Sequence, residues 1–255
     1  MNQPAMAQLA SQLLDARRAR KTLDTAPEAL VPANEDEADI VQQLTISGLG
    51  GGAGYKIGAR DPEAQPQVAP LPANLIYDNG AVLAFGAFSR VGLELEIGFR
   101  FGDTVDAGAA SLDDEAILSR IATVHVTSEI VDSRYADFPQ IPKLLQLADL
   151  QNNGALVVNE GVPYRADFDY LTPRASFQWG TETVFSGPAR NPCGDPRRLV
   201  VWLVRTMLAR GRRIGAGEIL TAGSYTGCRF VTGPGEVKGE FEGLGSVHFT
   251  LSANE

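Results

Sequence analysis

Residues 91–99 read VGLELEIGF, an alternation that sends Leu93, Leu95 and Ile97 to one side and Glu94 and Glu96 to the other. Only an extended strand sorts such a pattern into two faces, because its side chains repeat with period two. The same periodicity predicts strands over 82–88, 92–101, 122–130, 154–159, 176–179 and 182–185, and later near 218–221, 236–241 and 245–251. Helices are fewer. Residues 4–20 place Met6, Leu9, Leu13 and Leu14 at helical spacing, and a second helix starts near Asn34 with Ile40, Val41 and Leu44 on one face. SLDDEAILSRIA offers Ser111 as an N-cap. DPRRLVVWLVRTMLARG offers Asp195 as N-cap, Pro196 at the first turn and Gly211 as the stop, with a core stripe of Leu199, Trp202, Leu203, Thr206 and Met207. Many strands with few helices predict an α+β fold, not a doubly wound sheet. The stretch SGLGGGAGYKIGARDPEAQPQVAPLP, rich in glycine and then proline, marks a junction after an N-terminal helical region.

The formal charge of −9 opposes a nucleic-acid surface, which needs clustered Lys and Arg. The one basic run, DARRARK at 15–21, reads as the solvated face of a helix. No apolar run approaches the roughly 18 residues of a membrane span. The N-terminal residues lack a signal peptide's order, so a cytoplasmic enzyme or binding protein is expected. Cys193 and Cys228 are too few for a disulfide framework or a thiolate zinc site. Neither His125 nor His248 sits near a GxSxG elbow, which disfavours a Ser-His-Asp triad.

Glu94 and Glu96, flanked by Gly92 and Gly98, lie roughly 7 Å apart on one strand face. Two carboxylates that close repel when desolvated, and a shared hard cation such as Mg²⁺, Mn²⁺ or Ca²⁺ relieves the repulsion. The alternative is an antiparallel strand whose Glu face meets water. A third carboxylate, Glu129, ends the apolar run VHVTSEIV, with Asp132 and Asp137 as nearby alternatives. Lys56 lies between Gly54 and Gly58 on a small, apolar strand, where desolvation lowers a lysine pKa toward acid–base use; the competing reading is a surface lysine with a snorkelling stem.

Taken together, GAGYKIGAR, GLELEIGF, SEIVDSRY, VVWLVRTMLARG and GEILTAGSYTG…GEFEGLGSVHF resemble the 2-keto-4-pentenoate hydratases and 4-oxalocrotonate decarboxylases of the fumarylacetoacetate hydrolase superfamily. The resemblance implies a mixed β-sandwich or roll with flanking helices over residues 51–255, behind a helical region at 1–50. It implies Glu94, Glu96 and Glu129 as ligands of Mg²⁺ or Mn²⁺, Lys56 as the catalytic acid/base, and Gly223 and Ser224 as substrate-binding residues. The expected substrate is a 2-hydroxy-alka-2,4-dienoate or its 2-oxo tautomer from aromatic-compound catabolism, and the expected reaction is hydration. Decarboxylation of a 4-oxalocrotonate-type diacid, or a catalytically altered paralogue that binds 2-oxo acids, are the alternatives. A homo-oligomer or a hydratase–decarboxylase complex is the implied assembly. One departure stands out: the family's Pro-Asp-Phe-Gly-like segment is replaced by PLPANLIYDNG, where Asp78 is the nearest substitute for the missing acid.

Overall fold

The computed structural model describes residues 3–24 and 26–253. Its helices are α1 (Gln3–Ala19), α2 (Glu35–Gly48), α3 (Asp114–Leu118), α4 (Lys143–Ala148) and α5 (Arg197–Ala209). The strands are β1 (Gly52–Gly58), β2 (Gln67–Pro72), β3 (Ile76–Asp78), β4 (Val82–Ala84), β5 (Val91–Phe101), β6 (Ile121–Val131) and β7 (Asn153–Val158), followed by β8 (Val162–Pro163), β9 (Arg174–Trp179), β10 (Glu182–Pro188), β11 (Ile219–Ser224), β12 (Arg229–Val231), β13 (Gly235–Phe241) and β14 (Gly245–Ser252). Among the described residues they form two mixed sheets. The larger runs β2-β1-β11-β5-β6-β7-β3, with β12 also on β5 and β8 on β6; the smaller runs β10-β9-β13-β14-β4. The α+β expectation holds.

The alternation in β5 decides which sheet face becomes the site. Leu93, Leu95 and Ile97 are fully buried in one apolar cluster with Phe177, Val237, Phe241, Val247 and Phe249 of the smaller sheet. That side therefore belongs to the interior between the sheets, where each large side chain contributes about 1.5–3 kcal/mol of burial. The glutamate face is left turned away from it.

The helices follow their expected amphipathicity with local differences. In α2 the buried positions are Glu37, Ala38, Val41, Gln42, Thr45 and Ile46, whereas Leu44 is exposed; the inward face is rotated from the Ile40–Val41–Leu44 stripe. Gln42 is buried because its amide bonds the carbonyls of Val68 and Leu147. The N-cap of α3 is Asp113, not Ser111, and its carboxylate accepts the Ala116 N–H. Asp195 accepts the Arg197 N–H before α5, and Gly211, at φ +67°, ends that helix. There Arg212 N–H bonds the Met207 carbonyl and Gly211 N–H bonds that of Leu208. Leu199, Leu203 and Met207 are buried, with Trp202 and Thr206 half-buried beside them.

Three further differences have local causes. The strand expected at 82–88 stops at Ala84 and passes into a 3-10 turn around Gly86. Helix α4, only six residues long behind Pro142, is too short to leave a periodic signal. The basic run is divided: Arg18, Arg20 and Lys21 are exposed, while the Arg17 side chain turns inward and ion-pairs with buried Asp149 at 3.1 Å. No described helix is long and apolar enough to cross a membrane.

Candidate active site

Antiparallel pairing of β5 with β6 sets Glu94 directly opposite Glu129, and Glu96 opposite Thr127. One carboxylate oxygen from each of Glu94, Glu96 and Glu129 can be chosen so that all three lie within 4.8 Å of one another. Glu96 and Glu129 are buried and Glu94 is half-buried. Like charges placed opposite in a dry sheet are costly. Burial first, and then the charge of Glu129, pushes the Glu94 carboxyl up to about 7, against the opposing pull of Lys56. Burial, Glu129 and Glu94 push Glu96 up to about 8, resisted by Lys56 and by the Thr221 hydroxyl.

Lys56 arrives from two strands away. In β1 it pairs with Thr221 of the parallel strand β11, and β11 lies next to β5. The strands close up at Gly54, where a Cβ would stand 2.2 Å from the Ile219 carbonyl oxygen, so only glycine fits. Lys56 Nζ donates to Glu129 Oε1 at 2.6 Å and to the Gln151 carbonyl at 3.1 Å. Burial alone would lower its pKa, as the sequence suggested; the carboxylates of Glu129, Glu94 and Glu96 outweigh burial and raise it. It is a held ammonium, not a snorkelling surface lysine.

Strand β11 supplies the next pieces through an irregularity. Thr221 pairs with Gly98 and Ser224 with Glu96, so β11 carries one more residue than β5 across this stretch. A regular strand would put positions 221 and 224 on opposite faces, and the bulge brings both to the carboxylate side. Gly223 allows it, at φ +81°. The Thr221 hydroxyl donates to Glu96 Oε2, and the Thr127 hydroxyl lies 2.8 Å from that of Thr221. Asn191 locks the bulge by donating to the carbonyls of Ala222 and Gly223 at 2.8 and 2.9 Å.

A cleft of about 700 Å³ opens over this face. It is lined by Lys56, Glu94, Glu96, Gly223 and Ser224, all expected from the sequence, and also by Arg60, Gln65, Gln67, Lys143, Gln151 and Asn191. Glu129 does not itself line the cleft; it is fully buried and reaches the site through its ion pair with Lys56. Asp132 is bound instead to Arg134 at 3.3 Å, outside the carboxylate cluster, and Asp137 is exposed. Asp78 ends β3 at an exposed position and does not line the cleft, so it does not replace the missing acid. His125 donates from Nδ1 to the Asn159 carbonyl and accepts from Thr123 at Nε2, a structural use; neither histidine lines the cleft. Cys193 is buried, which raises its thiol to about 11 and leaves it inert.

The residues fit a divalent cation on a test independent of any ligand. Glu129 Oε2 is buried without a hydrogen-bond partner, while Oε1 also accepts Asn153 Nδ2 at 2.9 Å. An orphaned carboxylate oxygen beside two carboxyls held partly neutral by burial is a donor set of the kind hard cations take. Thr221, Asn153 and Gln151 escaped the sequence reading. Paired amides just ahead of an apolar strand, NNGALVV, were the available signal for Asn153.

Fold and site together define an α+β chain of two mixed sheets with a carboxylate centre suited to a divalent cation. No family model matches the sequence. The chain is 25% identical over 258 residues to a 2-keto-4-pentenoate hydratase of Paraburkholderia xenovorans, covering 96% of this chain and 94% of that protein. It is 24% identical over 183 residues to a 4-oxalocrotonate decarboxylase of a Pseudomonas species, covering 71% and 69%. The structure of 4-oxalocrotonate decarboxylase from Pseudomonas putida, complexed with magnesium and adipate, superposes with a TM-score of 0.86 at 18% identity over 99% of both chains. The similarity to hydratases and decarboxylases, enzymes of the lyase class, thus extends along the chain, and the fold is that of the decarboxylase structure.

Proposed function

We propose that this chain is a metal-dependent hydro-lyase acting on a 2-hydroxy-alka-2,4-dienoate or its 2-oxo tautomer in the catabolism of aromatic compounds. The observation that carries the proposal is the convergence of Glu94, Glu96 and Glu129 beside the cleft, with the Lys56 ammonium bonded to Glu129. Those glutamates would hold Mg²⁺ or Mn²⁺. Bound there, the ion would supply Lewis-acid polarisation of the C2 oxygen of a 2-oxo acid. The chain's own groups do the remainder. Ketonisation removes the proton from the C2 hydroxyl and delivers one to the far end of the diene; water then adds at C4, with its second proton reaching C3. Lys56, a held ammonium bonded to Glu129 and lining the cleft, would give and retrieve those protons. Thr221 donates to Glu96 and favours its ionised form, and the locked Gly223–Ser224 bulge shapes the wall on which the substrate rests.

Decarboxylation of a 4-oxalocrotonate-type diacid is the second reading, favoured by the cleft lining. Arg60 and Lys143 place two cationic side chains there, beside the amides of Gln65, Gln67 and Gln151, a suitable setting for an acidic tail. We assign residues 51–255 to the catalytic part and residues 1–50 to its support, in a cytoplasmic homo-oligomer without nucleic-acid or membrane partners. The deciding experiment supplies 2-hydroxypenta-2,4-dienoate and 2-hydroxymuconate-type acids with and without Mg²⁺ or Mn²⁺. Metal-dependent loss of the diene absorbance without CO₂ supports the hydratase, and CO₂ release supports the decarboxylase. Binding of either acid without turnover would identify a paralogue that has lost catalysis and would reject both enzymatic readings.

A further inference from the structure

The two oxygens of Glu129 live in different surroundings. Oε1 accepts from Lys56 at 2.6 Å and from Asn153 at 2.9 Å, whereas Oε2 is buried without a donor. Asn153 is fully buried at the start of β7. Its own carbonyl is gripped from behind by Arg17 Nη1 at 3.0 Å and by Arg134 Nη2 at 3.2 Å. Both guanidinium groups also converge on the buried Asp149 carboxylate, at 3.1 and 3.0 Å.

Between Asp149 and Asn153 the backbone does something rare. Leu150, Gln151 and Asn152 all adopt left-handed conformations, at φ 52°, 52° and 58°. Each costs a non-glycine residue about 1–2 kcal/mol, so the surroundings must enforce the turn. Asp149, clamped by two arginines, fixes its beginning; Asn152, whose carbonyl accepts the Asp132 N–H at 2.8 Å, fixes its end. The consequence of the turn is specific: it aims the Gln151 carbonyl at Lys56 Nζ, 3.1 Å away. One five-residue segment therefore touches both the ammonium and the Glu129 carboxylate, and α1 secures it through Arg17.

We infer that Asn153 and the Gln151 carbonyl are positioning groups, which hold Lys56 and Glu129 Oε1 in place so that Glu129 meets the cation through Oε2 alone. The inference rests on the three glutamates being a cation site. Arg17 acts one step further back, so the N-terminal helix supports the chemistry without reaching the cleft.

The test measures Mn²⁺ affinity of the purified full chain by calorimetry or by the spin-resonance signal of free Mn²⁺. It also records melting temperature, kcat and KM. Asn153→Ala is expected to weaken Mn²⁺ binding by about 10–100-fold, the usual cost of removing a partner behind a metal ligand, and to lower kcat more than it raises KM. Arg17→Lys keeps the charge on α1 but loses the two-pronged grip, and is expected to weaken Mn²⁺ binding in the same direction by a smaller factor. It decides the matter if Asn153→Ala does not fold. A lowered melting temperature with unchanged Mn²⁺ affinity and kcat would show a purely structural segment and overturn the inference. That outcome leaves the proposed activity standing, whereas a wild-type chain that fails to bind Mn²⁺ removes the cation site and the inference with it.

Discussion

Glu96→Gln separates stability from function in a way that few substitutions do. Glu96 carries a folded-state pKa of about 8 against an ordinary value of 4.5. A carboxyl whose pKa is raised by folding subtracts stability: nothing below the unfolded value, progressively more as pH rises, and the full amount above the folded value. At about 1.4 kcal/mol per pH unit, the metal-free chain carries a penalty approaching 4–5 kcal/mol near pH 8, reduced to on the order of 2–4 kcal/mol by local relaxation. Glutamine keeps the shape and an oxygen for the Thr221 hydroxyl while removing the buried charge. The metal-free variant should therefore melt roughly 5–10 °C above the wild type at pH 8.5, with a gap shrinking to about a third at pH 5.5. Scanning calorimetry after exhaustive chelation measures this directly. Adding Mn²⁺ should raise the melting temperature of the wild type far more than that of the variant, and metal-dependent turnover should vanish. A metal-free variant that melts below the wild type at pH 8.5 would refute the electrostatic argument, because it would show that the carboxylate is satisfied without a cation.

Lys56→Met deletes the cation that offsets three carboxylates, so the metal-free chain should melt lower while Mn²⁺ binding persists; turnover should fall by about 10²–10⁴-fold, measured with saturating metal. Thr221→Val removes the hydroxyl that favours ionised Glu96 and should cost about 1–3 kcal/mol of stability. Protonation of Glu96 then competes better with the metal, so the Mn²⁺ concentration for half-saturation should rise several-fold at pH 7 and hardly at all at pH 9. A shift of equal size at both pH values would point to distorted geometry instead.

What the sequence disclosed and what it withheld divide along a physical line. Glu94 and Glu96 were legible because they share one strand, and a period of two fixes their face without knowledge of any neighbour. The strands 92–101 and 122–130 were legible for the same reason. Convergence of Glu129 on that pair depends on the register of β6 against β5, set across a connection that includes α3, and local pattern carries no record of it. The run VHVTSEIV offered Glu129 beside Asp132 and Asp137, and the resemblance to known enzymes, not periodicity, chose among them. Lys56 shows the distinction most sharply. Its neighbours in sequence are small and apolar, which argues for a lowered pKa, yet the groups that control it come from β5 and β6 and reverse the sign. The capping of α3 failed on a smaller scale, since SLDD offers competing oxygens and only Asp113 reaches an unpaired N–H with helical geometry. Gln151 was beyond reach altogether, because its contribution is a carbonyl aimed by three left-handed residues, and the side chain plays no part in it. A catalytic centre built on a sheet is thus readable strand by strand, while its charge balance belongs to the pairing between strands. For that reason the sign of a lysine pKa, and not the identity of a glutamate, is where sequence reasoning on such folds fails first.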